Sequence, residues 1–174
     1  MKIKLIILIG AIAMLTSCAD KIENYKNTLP KADVKEFFSG NIKAWGLVQD
    51  WTGKVTTRFD VDMVGSWNNN IGTLKENFRY YNGKTQQRVW TITQNKDGTY
   101  TGTANDIIGK AKGNSEGSAL KWSYTMDIPV DDKTYRIKLD DWMWQMNDGI
   151  LINRSYLKKF GITVAELTLF MQKQ

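Results

Sequence analysis

Residues 54–67 alternate with a period of two. Val55, Thr57, Phe59, Val61, Met63, Gly65 and Trp67 share one face. Lys54, Thr56, Arg58, Asp60, Asp62 and Ser66 share the other, and Val64 is the one interruption. Successive side chains of a strand point to opposite sides, so this pattern predicts a strand with one buried face. Leu120, Trp122, Tyr124, Met126 and Ile128 alternate with Lys121, Ser123, Thr125 and Asp127 in the same way. Residues 42–51, 72–81, 85–94, 134–146, 150–156 and 163–171 follow the pattern less cleanly. Turn-forming residues lie between these stretches, among them Thr52-Gly53, Asn82-Gly83, Asp97-Gly98, Asp131-Asp132, Asp148-Gly149 and Phe160-Gly161. Asn-Gly and Asp-Gly readily take the positive φ of tight hairpins. No long helical pattern separates the strands, so parallel crossovers are not expected. The expected fold is mainly β, an antiparallel up-and-down meander of about 8–10 strands, and closing it as a barrel removes its exposed edges. A sandwich is the alternative.

Ahead of the first strand, Asp33-Val34-Lys35-Glu36 has capping-box spacing, followed by Phe37, Phe38 and Gly40. A short N-terminal helix plugging one end of the barrel fits this segment, and so does an irregular apolar strand. Residues 20–31 are polar and charged, with Pro30 near their end, and read as a flexible tether.

The first residues carry a different signal. Lys2 and Lys4 precede an uncharged apolar run from Leu5 to Leu15. A bilayer-spanning helix needs about 20 apolar residues, so this run has the length of a signal-peptide core. Leu15-Thr16-Ser17-Cys18 then resembles a bacterial lipobox. The resemblance implies cleavage before Cys18 and acylation of its thiol and new amine, and two or more acyl chains meet the requirement for stable anchoring. Cys18 is the chain's one cysteine. The expected organisation is a cleaved signal peptide over 1–17, a lipidated cysteine and flexible tether over 18–32, and a single barrel domain over 33–174. Ala19 follows the cysteine, and by resemblance to the lipoprotein sorting rule this implies the outer membrane, facing the periplasm. An exported chain is not expected to meet nucleic acid. Loss of Lys2 and Lys4 lowers the formal charge of +6 by two. The remaining charges are spread out, as on a solvated surface.

Several segments together resemble an uncharacterised family of Gram-negative lipoproteins, the domain of unknown function 3833 family. They are Phe37-Phe38-Ser39-Gly40 through Ala44-Trp45-Gly46, Gln49-Asp50, Arg58-Phe59-Asp60-Val61-Asp62, Arg88-Val89-Trp90, and Tyr100-Thr101-Gly102-Thr103-Ala104-Asn105-Asp106. Gly109, Gly113, Trp122-Ser123-Tyr124, Asp141-Trp142-Met143, Leu151-Ile152-Asn153-Arg154 and Phe160-Gly161 continue the likeness. It implies a lipocalin-like barrel anchored by Cys18, and no activity.

Charged residues in register with an apolar face mark the candidate site. Arg88 shares a face with Trp90 and Ile92, Glu76 with Leu74 and Phe78, Asp141 with Leu139 and Met143, and Arg154 with Ile152 and Tyr156. Buried charges must be paired or neutralised. One reading is an internal ion-pair network of Arg88 or Arg154 with Asp141 or Glu76, the commoner cause of such patterns. The other has an arginine and a tyrosine such as Tyr124, beside Trp90 and Trp122, holding the polar end of a fatty acid or other lipid. A bulge that turns some of these side chains outward is a third possibility.

Trp142 and Trp144 lie opposite Leu139 and Met143, so that strand is apolar on both faces. This suits a membrane-facing or partner-facing patch, or a strand covered by the N-terminal segment. The glycine-spaced stretch 109–117 lacks the order of a phosphate loop and reads as kinked strand. There is no histidine, no nucleophile–base pair and no metal or cofactor set. A tethered lipid-binding barrel is therefore expected ahead of an accessory lipoprotein that binds an envelope protein, and a lipid-acting enzyme comes last.

Overall fold

The computed structural model describes residues 20–130 and 132–174. Cys18 and the leader assigned to residues 1–17 lie outside them. Ten antiparallel strands follow one another: β1 (Gly40–Asp50), β2 (Val55–Asn68), β3 (Ile71–Tyr80), β4 (Thr85–Gln94), β5 (Tyr100–Ala104), β6 (Ile107–Glu116), β7 (Ala119–Val130), β8 (Lys133–Gln145), β9 (Ile150–Lys159) and β10 (Ile162–Lys173). Each pairs with its neighbours in sequence, and β10 pairs with β1, so the sheet closes as a barrel. The closed meander leaves no strand edge unpaired. The sandwich is thereby excluded.

The interior follows from the alternation. Phe59, Val61 and Met63 of β2, Leu74 and Phe78 of β3, Trp90 and Ile92 of β4, Leu120, Trp122 and Tyr124 of β7, and Ile137 and Leu139 of β8 form one buried cluster. β6 departs from regularity: its pairing with β7 shifts between Ile108 and Lys112, and Gly109 takes a φ of +71°. The glycine-spaced stretch is thus a bulged strand running into a hairpin.

One end of the barrel is plugged. Asp33 accepts a hydrogen bond from the Glu36 amide at 2.8 Å and starts helix α1 (Val34–Phe37). The Phe38 carbonyl then sits against Gly65, where an added Cβ would lie 2.0 Å from its oxygen. Trp67 Nε1 donates to that oxygen at 3.0 Å. From the far end of the chain, Lys173 Nζ donates to the Glu36 carbonyl at 2.6 Å and to the Ser39 carbonyl at 2.9 Å. A cation at a helix C-terminus satisfies carbonyls that have no partner within the helix.

Residues 20–32, read from composition as flexible tether, lie instead against the outer wall. Ile22–Tyr25 forms a single 3-10 turn, with Ile22 buried on Ala119 and Trp142. Thr28 bonds Ser118 through side chain and backbone, and the Ala32 amide donates to the Gly117 carbonyl at 2.7 Å. Two apolar side chains of the segment, Ile22 and Tyr25, meet an apolar outer wall there, while Leu29 stays exposed.

Candidate ligand-binding cavity

Inside the barrel, above the plug, lies a cavity of about 110 Å³. Its wall is mostly apolar and aromatic, with Phe38, Phe59, Phe78, Trp90 and Trp122 among the lining residues, and three methionines, Met63, Met143 and Met171, besides. Trp90 stands edge-on to Trp122 at 5.8 Å and to Tyr124 at 5.4 Å between ring centroids. Three charged residues also reach the cavity: Glu76, Arg88 and Asp141.

Glu76 and Arg88 face each other across β3 and β4, with Arg88 Nη1 at 3.7 Å from Glu76 Oε2. The closer partner of Arg88 is Asp106, in the turn between β5 and β6. Arg88 Nε lies 2.9 Å from both Asp106 carboxylate oxygens, and Nη2 lies 2.7 Å from Oδ2. Gln86 Nε2 donates to Asp106 Oδ2 at 3.1 Å, and the Tyr80 hydroxyl donates to Gln86 Oε1 at 2.9 Å. Charge-assisted bidentate pairs of this kind are the strong ones. Burial works against the Arg88 charge, but Glu76 and Asp106 hold its pKa above the ordinary value.

The other two acids are less well provided for. Glu76 is 8% exposed and Asp141 5%, and Glu76 Oε2 and Asp141 Oδ1 have no hydrogen-bond partner. Burial pushes the Glu76 carboxyl up to about 7 against the pull of Arg88. Burial also pushes Asp141 up to about 7, although the Ser155 hydroxyl and Arg88 favour its charged form. Tyr124 is raised well above its ordinary value by burial and by Asp141. A carboxyl poised near neutrality in an apolar cavity either donates or accepts a hydrogen bond at little cost.

Arg88, Glu76, Asp141, Tyr124, Trp90 and Trp122 thus meet around one cavity, as their registers imply. The ion-pair reading describes Arg88, but its main partner is Asp106. Arg154, expected on the inner face, does not reach the cavity. It points outward, pairs with Glu166 on β10 and lies over the Tyr156 ring. The inward residues of β9 are Leu151, Asn153 and Ser155. Parity misled there because the outer face of β9 is also apolar: Ile152 pairs with Trp144 and Phe170, and Tyr156 packs beside Trp142. The Trp142–Trp144 patch is likewise no free surface. Trp142 is buried beneath Ile22 and Tyr25, with Trp144 stacked on it at 6.2 Å.

Sequence reading missed Asp106, Gln86, Asn153 and Ser155. Asp106 sits in a tight turn, where no periodicity assigns a direction. Asn153 and Ser155 are short polar residues that no count of apolar positions places inside; Asn153 Nδ2 donates to the Trp142 carbonyl at 3.0 Å, and Ser155 Oγ donates to Asn153 Oδ1 at 3.2 Å.

The fold and cavity define a closed ten-stranded antiparallel barrel with buried carboxyls at its centre. Residues 12–173 match the family described as Protein of unknown function (DUF3833), and the chain belongs to that family. No curated protein matches the chain. The barrel agrees with the lipocalin-like architecture that the resemblance implies.

Proposed function

We propose that this protein is a membrane-anchored lipoprotein of the cell envelope whose barrel binds or shuttles an apolar or lipid ligand, the polar end of that ligand bonded by Glu76 and Asp141. The observation that carries the reading is the pair of buried carboxyl oxygens, Glu76 Oε2 and Asp141 Oδ1, without hydrogen-bond partners beside an apolar cavity. Such oxygens cost free energy unless something bonds them. A fatty carboxylate would meet two carboxyls and an arginine already held by Asp106. An ammonium head has donors enough for both oxygens, and an alcohol has one for either of them, so these heads fit better.

The volume bears on how a ligand enters. The cavity measures about 110 Å³. Pockets that bury a drug-sized ligand run to about 300–1,000 Å³. An acyl chain therefore enters by moving side chains, and Met63, Met143 and Met171 are flexible enough to give way.

Titration of the protein with dodecanol, dodecylamine and dodecanoate, read by tryptophan fluorescence, tests this. Trp90 and Trp122 line the cavity and report its filling. The alcohol and the amine should bind more tightly than the carboxylate, and amine binding should strengthen as pH rises through about 7, where Glu76 and Asp141 ionise. No fluorescence response to any of the three, together with no copurifying ligand in native mass spectrometry, would refute the reading.

A further inference from the structure

The turns at the unplugged end are β1–β2, β3–β4, β5–β6, β7–β8 and β9–β10. Because β10 pairs with β1, three of them form one continuous arc of the rim: β9–β10, β1–β2 and β3–β4. This arc carries the most exposed large apolar side chains of the described barrel: Phe160 at 94%, Trp51 at 82%, Ile162 at 70% and Tyr81 at 59%. Each turn of the arc also supplies a lysine: Lys159, Lys54 and Lys84. The acid in the arc, Asp50, is occupied within its own turn, accepting from the Thr52 amide at 2.9 Å, the Thr52 hydroxyl at 2.6 Å and the Lys54 amide at 3.2 Å. The described part of the N-terminal segment, residues 20–32, meets the wall at Gly117, Ser118, Ala119 and Trp142, and its hydrogen bonds to Gly117 and Ser118 lie by the plugged end.

Exposed apolar side chains in a group mark an interaction site. Here they stand on three separate turns rather than forming one flat face, and a closed barrel offers no strand edge for a partner strand. Separate apolar and aromatic tips, each beside a lysine, match a bilayer interface, where aromatic rings sit at headgroup level and lysines meet anionic phosphates. We propose that the open rim of the barrel docks on an anionic lipid surface through the Trp51, Tyr81 and Phe160–Ile162 turns. Docking would set the unplugged end of the cavity against the lipid. The proposal does not depend on the cavity's ligand and stands if that ligand is not a lipid.

Hydrogen exchange of the full chain, read by mass spectrometry with and without vesicles, tests it at the turns themselves. Phosphatidylcholine vesicles containing phosphatidylglycerol should slow exchange in residues 50–55, 80–85 and 159–162, and phosphatidylcholine alone should do so much less. Lys54→Gln and Lys84→Gln should each weaken the protection roughly fivefold in vesicle concentration, the effect of losing about 1 kcal/mol per lysine. Trp51→Ser with Phe160→Ser should abolish it while the barrel's circular dichroism is unchanged. Exchange at these turns that vesicles do not alter, or that neutral vesicles slow equally, would overturn the proposal. Protection that appears without vesicles and grows with protein concentration would overturn it in favour of self-association through the rim.

Discussion

Asp141 and Glu76 are where single residues matter most. Both carboxyls titrate near 7 in the folded chain, above their ordinary values of 3.8 and 4.5, chiefly through burial. Between those values and 7 the folded state holds protons that the unfolded state has released. Their effect on stability is therefore most favourable at low pH and is lost as pH rises through about 7. Asp141→Asn should flatten the fall in melting temperature between pH 5 and pH 8 and stabilise the protein at pH 8 by on the order of 3 kcal/mol. Thermal denaturation of both forms at the two pH values checks this, and an unchanged slope would show that Asp141 ionises freely. Arg88 is the complementary case. Arg88→Met leaves Asp106 and Glu76 without their cation and should cost about 3–5 kcal/mol in urea denaturation. Adding Asp106→Leu should recover a large part of that loss, since an apolar pair replaces a desolvated ionic one. At this scale Glu76, Arg88 and Asp141 were legible, because each interrupts an apolar face. Asp106 was not, because a turn residue has no face to be read from.

Strand β6 shows what an element costs to place. Its Gly113 lies under the Trp122 ring, and a Cβ there would stand 2.1 Å from Trp122 Cε3. Gly102 on β5 meets the same ring, with a would-be Cβ 2.6 Å from Trp122 Cζ2. These two glycines make room for a tryptophan that could not otherwise lie flat inside the barrel. Gly113→Ala should destabilise the protein by about 1–3 kcal/mol through overpacking, seen as a lower denaturation midpoint with unchanged dependence on denaturant. Recovery of stability in Gly113→Ala combined with Trp122→Leu would trace the cost to that contact. Strands β2 and β7 could be read almost to the residue, since each has one wet and one dry face. Strand β9 could not, because the N-terminal segment and the neighbouring aromatic residues keep the outer face of β8 and β9 apolar as well. With two apolar faces, parity no longer tells inside from outside.

The whole molecule depends on one long-range pairing. Strands β1 and β10 meet with Ile42 opposite Lys173 and Ala44 opposite Met171, joining the two ends of the described barrel. Met171 and Ala44 are both buried at that seam. Met171→Asp places an unpaired charge there and should unfold the barrel as one unit. Far-ultraviolet circular dichroism and tryptophan fluorescence should then report the same lowered midpoint, whereas separate midpoints would mean that the seam opens alone. The chain's alternation and turn residues determined by themselves that it forms antiparallel strands, roughly where they run, and which charges lie on apolar faces. These are local properties, set by neighbours in sequence. The tertiary structure alone decided the direction of β9, the cover over Trp142, the pairing of Arg88 with Asp106 and the meeting of the rim turns. Each of these depends on which distant segments closure of the barrel brings together, and no local pattern encodes that.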